Sequence, residues 1–268
     1  MKTKHKGFTL IELLVAVALV GVLGALGYGA VSAARNRARM AVEISAARNL
    51  ITAYLGHAAD QGGRVMPGYQ AEPSAVNLNG DSLHFPLNAR YPWRLAPSLP
   101  KIEGVMLYNG NEKALDSPQR DYLVSVQPNM GLNAVFAGGH YGSGSPLSPG
   151  KRSEELVGKF YLTNLHDASA PEKFIVFASA RSEESKGGYF EIRPPNVTRR
   201  IWSSAEADDS SPPTAHGFVD FRWNGKAAVA CLAGNVELLD GKSLRDMRRW
   251  SIQAQRANEP DFMVGERR

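Results

Sequence analysis

A carboxylate stands inside the most apolar stretch of this 268-residue chain. Residues 8–34 read FTLIELLVAVALVGVLGALGYGAVSAA, and Glu12 is the one charged residue among them. A carboxylate left unpaired in lipid is costly and usually has a partner. Because no cation lies nearby in the run, we expect this partner to come from outside the helix that carries Glu12. A free amine on a neighbouring chain would serve if the mature chain began at Phe8.

The histidines and the single cysteine lack the spacing of a catalytic or metal site. The six histidines are His5, His57, His84, His140, His166 and His216. No HExxH pair occurs, and one cysteine builds neither a thiolate zinc site nor a CxxC motif. His216 precedes a predicted strand. Its predicted role there is that of a hydrogen-bonded histidine. The alternatives are that it orders the turn near Gly234 or that it ligates a metal. A Cys231–His216 nucleophile is the enzymatic alternative, but the apolar run AAVACLA favours Cys231 as a core residue.

One acidic loop is a weak candidate for a cation site. Glu206, Asp208 and Asp209 carry oxygen ligands of the kind that Ca²⁺ binds. The loop lacks EF-hand spacing, and Pro212-Pro213 follows it, so a solvated loop is the favoured interpretation. We therefore predict no cofactor, with calcium at this loop as the alternative. No GxSxG or SxxK motif occurs, and we predict that the chain is not an enzyme.

The apolar run is long enough to cross a bilayer. As a helix, its 27 residues would span roughly 40 Å, against about 30 Å of hydrocarbon. A secretory signal peptide has a shorter apolar region, and a buried helix of a soluble protein is the remaining alternative. Three lysines precede the run and three arginines follow it closely, so the positive-inside rule leaves its orientation open.

The residues that precede and enter this run carry a specific resemblance. Lys6-Gly7-Phe8-Thr9-Leu10-Ile11-Glu12 combines a short basic leader, a glycine followed by phenylalanine, a glutamate five residues after that glycine and an apolar helix. This pattern resembles the prepilin leader and cleavage site of type IV pilins and type II secretion pseudopilins. The resemblance covers about the first 60 residues.

The resemblance implies how the chain is processed and where it resides. A prepilin peptidase would cut between Gly7 and Phe8 and methylate the new amine of Phe8, and Glu12 would pair with that amine on a neighbouring subunit. The chain would cross the inner membrane once, with its leader (residues 1–7) in the cytoplasm and its C-terminal domain in the periplasm. The implied partners are the peptidase, the inner-membrane assembly machinery, lipid and other pilin-like subunits in a filament.

Beyond the span, the pattern predicts a continued helix and then a loop-rich domain. Apolar residues recur at three- and four-residue steps along residues 35–62, which predicts an amphipathic continuation that Gly62-Gly63 ends. The predicted buried face is Met40, Ile44, Ala47, Ile51, Tyr54, Leu55 and Ala58. Residues 63–215, rich in proline and glycine, predict a globular domain with a loop-rich insertion. Its predicted strands are Tyr122–Val126, Phe174–Ala178 and Gly188–Ile192.

Residues 216–258 predict a three-stranded β-meander and a C-terminal helix, followed by a tail at 259–268. Asn224-Gly225 indicates a type I′ turn between the first two strands. The predicted strands are Phe218–Trp223, Ala227–Leu232 and Val236–Leu239. Ser243-Leu-Arg-Asp246 indicates a capping box, which opens a helix that ends near Ala257.

This region also resembles the C-terminal part of large pseudopilin-like proteins of planctomycete and verrucomicrobial bacteria. Their pattern is a histidine, a hairpin, a hydrophobic strand and a DG-H-V-E-like turn. His216 matches the histidine, and Gly234-Asn235-Val236-Glu237 matches the turn. Ala233 replaces the aspartate and Asn235 replaces the second histidine, which weakens a metal-site interpretation.

The charge balance argues against nucleic-acid binding. The formal net charge is +5, and removal of the three leader lysines leaves +2 with no long basic stripe. We predict an α+β fold, in which a long N-terminal transmembrane and amphipathic helix packs on an antiparallel sheet, with a loop-rich insertion and a C-terminal helix. The predicted function is that of a pseudopilin subunit of a type IV pilus or type II secretion pseudopilus. The alternatives are an anchored periplasmic binding module that does not polymerise and an anchored enzyme.

Overall fold

The computed structural model describes residues 9–184 and 187–266, and of residues 24–27 it describes the backbone alone. The chain divides into two compact units, one up to Ala41 and the other from Val42. Gly7 and Phe8, the two residues of the predicted cleavage site, lie outside the described ranges.

The first unit contains the N-terminal part of helix α1, Leu10–Asp60. The large apolar side chains that are described between Leu10 and Val31 are exposed, with Leu10 at 78% and Val31 at 51%. By length and composition, α1 is the one helix within the described residues that can cross a membrane.

The second unit begins with the remaining part of α1, which packs into the core. Ala47, Ile51, Tyr54 and Ala58 are buried, as the apolar periodicity predicts. The ring of Tyr54 meets that of Phe177 edge to face, with the centroids 5.7 Å apart. After Asp60, Gly62 and Gly63 adopt left-handed φ angles of 66° and 86°. The Gly63 N–H then returns to the Ala58 carbonyl at 2.8 Å and ends the helix.

A four-stranded antiparallel sheet forms the centre of the second unit, in the order β1-β2-β3-β4. The strands are β1 Met130–Leu132, β2 Ile175–Ser179, β3 Lys226–Cys231 and β4 Val236–Asp240. All five residues of β2 are buried. Because successive side chains of a strand point to opposite faces, the sheet is covered on both faces at β2.

Short helices and 3₁₀ turns surround this sheet. The helices after α1 are α2 Tyr91–Leu95, α3 Arg120–Val126, α4 Lys151–Val157, α5 Gly241–Leu244 and α6 Ile252–Ala257. The 3₁₀ turns are Leu87–Ala89, Ala96–Ser98, Asn111–Asp116, Leu165–Asp167, Pro213–His216 and Met247–Arg249. The architecture is therefore α+β and pilin-like, as predicted: a long apolar helix, an antiparallel sheet and a C-terminal helix.

Two predicted strands of the middle region are wrong. Tyr122–Val126 lies in helix α3, where the Leu123 N–H donates to the Gln119 carbonyl at 3.0 Å. Five residues are too few for alternation to separate strand from helix, and tertiary contacts decide. Gly188–Ile192 forms one isolated bridge, between Glu191 and Leu132, instead of a strand. Pro194-Pro195 follows after Arg193, and neither proline can donate to a longer ladder.

The predicted strand Phe218–Trp223 is also wrong, although the turn after it is confirmed. Asn224 and Gly225 have φ angles of 52° and 74°, as a type I′ turn requires. The preceding Gly217 and Phe218 have φ angles of 62° and 66°, which break an extended strand. Moreover, β3 pairs with β2 on one side and with β4 on the other, so residues 218–223 cannot pair with β3 as a further strand.

The predicted C-terminal helix is divided, and its predicted capping box is wrong. Asp240 caps α5 by accepting from the Ser243 N–H, and Ser251 caps α6. A 3₁₀ turn separates the two helices, and Asp246 caps that turn. The break allows the fully buried Trp250 to donate from Nε1 to the Leu244 carbonyl at 2.8 Å.

Candidate functional site

Glu12 closes a capping box with Thr9 at the start of α1. The Oε2 atom of Glu12 accepts hydrogen bonds from the Thr9 N–H and the Thr9 hydroxyl, each at 2.8 Å. In return, the Glu12 N–H donates to Thr9 Oγ1 at 3.2 Å. The reciprocal bonds satisfy amide groups that the first helical turn leaves unpaired.

The structure adds local donors to the expectation about Glu12. The sequence suggested that its partner lies outside its own helix, because no cation is near, and that partner stays a prediction. In addition, the structure supplies neutral donors from Thr9, three residues earlier. Both bonds use Oε2, and within the described residues Oε1 accepts no hydrogen bond. The Glu12 carboxylate thus caps the start of α1 through Oε2, and Oε1 is available to a further hydrogen-bond donor.

A second glutamate on α1, Glu43, is fully buried in the second unit. Its Oε1 atom accepts a short hydrogen bond from the Ser179 hydroxyl of β2. Ser179 Oγ in turn accepts from the Ala228 N–H of β3 at 2.8 Å. One hydroxyl thus connects α1 to two adjacent strands of the sheet.

Arg222 supplies the charge that compensates Glu43. Its Nη1 atom lies 3.6 Å from Glu43 Oε2, and its Nε atom lies 2.8 Å from Asp220 Oδ2. Its Nη2 atom donates to the Ala180 carbonyl at 2.6 Å. Burial lowers the pKa of the Arg222 guanidinium, but the two carboxylates outweigh burial and hold this pKa above its ordinary value.

These buried groups fix α1 on the sheet. An unpaired charge at this depth is strongly destabilising, so Glu43 has to face Arg222 and Ser179. Sequence analysis missed the set because it treated the buried face of α1 as apolar. The available signal was the helical spacing of Glu43, which lies three and four residues before Ala46 and Ala47 on the buried face.

The structure places His216 and Cys231 in separate surroundings. His216 is buried against the rings of Trp202 and Phe221, and its Nε2 atom lies 3.3 Å from the Ala205 carbonyl oxygen. Cys231 is buried in β3, 3.8 Å from Glu237 Oε1. Burial and the Glu237 carboxylate raise the pKa of the Cys231 thiol to about 12, so it stays protonated and unreactive at neutral pH.

Of the acidic loop, Glu206 is exposed, and the Asp208 and Asp209 carboxylates accept hydrogen bonds from different segments. Asp208 Oδ1 accepts from the N–H and hydroxyl of Ser210, at 2.9 and 2.7 Å. Asp209 accepts a short hydrogen bond from the Gly225 N–H. Across residues 9–184 and 187–266, no group of three His, Cys, Asp or Glu side chains is placed to hold a metal ion.

The described geometry defines an α+β protein with one exposed, membrane-length N-terminal helix. Residues 2–28 match the family model for the prokaryotic N-terminal methylation motif, the prepilin-type cleavage and methylation signature of type IV pilin-like proteins. The match confirms the resemblance seen at the leader. It indicates a membrane-anchored prepilin-peptidase substrate of the type IV pilin or pseudopilin kind.

This family consists of structural pilin-like subunits and is not known as enzymatic. No curated protein and no solved structure matches the chain. The resemblance of the region after His216 to large planctomycete and verrucomicrobial proteins stays a prediction.

Proposed function

We propose that this chain is a structural subunit that packs with other pilin-like subunits into a type IV pilus or a type II secretion pseudopilus. The observation that carries the proposal is the methylation motif at residues 2–28, which includes most of the exposed apolar part of α1. An apolar surface of this length is stable in lipid or against similar helices, and not in water.

The cleavage site and Glu12 have separate roles in this proposal. The peptidase cuts between Gly7 and Phe8 and methylates the amine of Phe8. That amine pairs with Glu12 of a neighbouring subunit, and the pair sets the register of packing. Support comes from Glu12 Oε1, which accepts no hydrogen bond within the described residues.

The proposed orientation places the leader in the cytoplasm and the sheet domain in the periplasm. The helix is drawn out of the inner membrane when the subunit enters the filament. The inner-membrane assembly machinery and membrane lipid are the remaining proposed partners.

Mass spectrometry of the protein from its native cells tests the processing step. The expected mature chain begins at N-methylated Phe8, and Gly7→Leu, which alters the residue before the cut, leaves the leader in place. A protein that still carries Met1 to Gly7 would refute the proposal. The anchored binding module that does not polymerise would then be the remaining interpretation.

Cross-linking tests assembly separately from processing. Because Cys231 is buried, Val31→Cys adds one thiol near the end of the apolar run, four residues before Arg35, where water can reach it. A bifunctional maleimide should then link copies of the processed protein in filaments, whereas the unaltered chain stays unlinked. A processed Val31→Cys protein that yields monomers alone would refute assembly through this helix.

A further inference from the structure

The uncharged part of α1 matches the thickness of a bilayer's hydrocarbon core and ends at an arginine. Residues 13–34 contain no Asp, Glu, Lys or Arg, and Arg35 follows them. A helix of these 22 residues measures roughly 33 Å, against about 30 Å for the hydrocarbon core. When this segment fills the core, Arg35 and Arg37 lie at the level of the lipid headgroups.

Tyr28 is placed where this segment approaches the headgroups. Its side chain is 81% exposed, and it lies seven residues before Arg35, which is roughly 10 Å along the helix. Tyrosine is enriched where hydrocarbon meets water, because its ring is apolar and its hydroxyl is polar. A tyrosine followed by arginines is thus the order expected of a helix that leaves the hydrocarbon and enters the headgroup region.

Arg35 and Arg37 are exposed on opposite sides of α1. Two positions along an α-helix correspond to a rotation of about 200°. The Cα–Cβ bonds of a helix tilt towards its N-terminus, which directs both side chains back towards the apolar segment. The long stem of arginine allows its charged group to reach the headgroups while the stem packs on apolar surface. Two cations on opposite sides of one helix suit a partner that surrounds the helix.

Neither of these two arginines has a carboxylate partner within the part of the chain that the structure describes. The ion pairs of residues 9–184 and 187–266 include neither Arg35 nor Arg37. The nearest carboxylates along the chain are Glu12, at the other end of the uncharged segment, and Glu43, which is buried and paired with Arg222. Both exposed guanidinium groups are therefore available to an external anion.

We propose that Arg35 and Arg37 bind the phosphate groups of anionic phospholipids around α1. Each guanidinium donates charge-assisted hydrogen bonds to phosphate oxygens, and the negative charge of an anionic leaflet adds to the attraction. The chain thereby prefers anionic over zwitterionic lipid. This proposal rests on the membrane anchoring of the proposed function and does not depend on filament assembly.

An acidic surface of a neighbouring subunit is the competing partner. One neighbouring surface packs against one side of a helix, whereas Arg35 and Arg37 are exposed on opposite sides. Lipid headgroups surround a single helix and contact both arginines at once. The geometry thus favours lipid, and the two partners differ in a measurable way, because binding to lipid does not require a second copy of the chain.

Energy transfer to labelled lipids tests the proposal. Full-length Val31→Cys, with a maleimide fluorophore four residues before Arg35, is reconstituted at high dilution in vesicles of phosphatidylcholine and phosphatidylglycerol. An acceptor on an acyl chain of one lipid or the other gives the ratio of their association constants for the protein. We expect a severalfold preference for phosphatidylglycerol. Arg35→Gln and Arg37→Gln should each lower this preference by about two- to fivefold, whereas Arg35→Lys and Arg37→Lys should retain most of it.

A charge-matched variant controls for net charge. Arg199→Gln/Arg200→Gln removes two exposed positive charges from the second unit and should leave the lipid preference unchanged, unlike Arg35→Gln/Arg37→Gln. The leader lysines are the same in every variant, so differences between variants report the arginines. Glutamine is a good helix former, and an unchanged circular dichroism spectrum confirms that the variants fold.

Three outcomes would overturn the proposal. These are equal association of the two lipids with the protein, a preference that Arg35→Gln/Arg37→Gln leaves unchanged, or an equal loss in the charge-matched variant. Equal association at high dilution would leave the neighbouring subunit as the partner of the arginines. The cross-linking of Val31→Cys in filaments measures assembly separately, so a failure of lipid binding is distinguishable from a failure of the proposed function.

Discussion

The Oε2 atom of Glu43 on α1 lies 3.6 Å from Nη1 of Arg222, on the segment just before β3. Glu43 has no solvent exposure, and its other oxygen accepts from the Ser179 hydroxyl. A charge pair at this depth makes the position of the helix on the sheet depend on a few specific atoms.

Glu43→Ala should therefore lower the free energy of unfolding of the second unit by about 3–5 kcal/mol, because Arg222 loses part of its compensation while buried. Urea unfolding followed by tryptophan fluorescence measures this, since Trp93, Trp202 and Trp250 are buried in that unit. The double variant Glu43→Leu/Arg222→Met should be more stable than either single variant. Glu155→Ala, at an exposed position of α4, should change stability by less than about 0.5 kcal/mol. A similarly small effect of Glu43→Ala would contradict the role assigned to the pair.

Thr9→Val and Glu12→Ala distinguish helix capping from assembly. Thr9→Val removes the hydroxyl from the capping box and should cost about 1 kcal/mol of local helix stability. Filament yield should stay near normal, because the Glu12 carboxylate remains. Glu12→Ala should leave the sheet domain folded but strongly reduce filament yield, measured by sedimentation of sheared filaments. Equal losses in the two variants would assign Glu12 a capping role alone.

Asp167 should make stability depend on pH under acidic conditions. Burial raises its pKa, but Lys159 Nζ at 2.8 Å and the N–H groups of Thr163 and Asn164, each at 2.9 Å, outweigh burial. The resulting pKa is about 2, below the ordinary value of 3.8. The stabilisation is fully present above the ordinary value and is lost as the pH falls towards 2.

Asp167→Asn should accordingly lower the urea midpoint at pH 6, and the difference from the unaltered protein should shrink between about pH 4 and pH 2. Asp116→Asn, at an exposed position, is the matched control and should give a small difference at every pH. A difference between Asp167→Asn and the unaltered protein that stays constant down to pH 2 would contradict this assignment.

Gly131 and Gly56 should respond to alanine in opposite directions. A Cβ atom at Gly131 of β1 would stand 2.7 Å from the backbone carbon of Glu191, so one of the two segments has to move. A Cβ atom at Gly56 of α1 would meet open space. Gly131→Ala should lower the thermal midpoint by several degrees, whereas Gly56→Ala should raise stability by up to about 1 kcal/mol. Stabilisation by both variants would show that the contact at Gly131 is loose.

Cys231 should resist thiol reagents in the folded protein. The thiol is buried and stays protonated at neutral pH, so an aromatic disulfide reagent at pH 8 should modify it only after denaturant is added. Absorbance of the released thiolate measures the rate. A matched Leu156→Cys variant, whose added thiol is exposed, should release one equivalent at once. Rapid reaction of the unaltered native protein would mean that β3 opens readily.

The elements predicted correctly are those with strong local signals. Helix α1 follows from a long apolar run and from the helical spacing of residues such as Ala47 and Ile51. The turn at Asn224-Gly225 follows from residues that tolerate positive φ. Strands β3 and β4 follow from short apolar runs separated by a glycine turn.

The features missed depend on residues distant in the chain. Glu43 and Ser179 are 136 positions apart, and no local pattern connects them. A charged residue near an apolar helix face is normally predicted to be exposed to solvent. The burial of Glu43 is understood only from the tertiary structure, in which Arg222 and Ser179 of β2 contact it. Helix α3 was missed for a related reason, since Trp93 Nε1, 2.8 Å from the Asp121 carbonyl oxygen, helps to select the helical conformation of a β-like sequence.

The isolated bridge to Glu191 has a consequence for protein at high local concentration. Leu132, on edge strand β1, donates its N–H to the Phe190 carbonyl at 3.0 Å and accepts from the Ile192 N–H at 2.9 Å. These are the backbone groups through which an intruding strand would add to the sheet. The chain blocks this edge with its own backbone, so crowding of many copies does not seed edge-to-edge aggregation at β1.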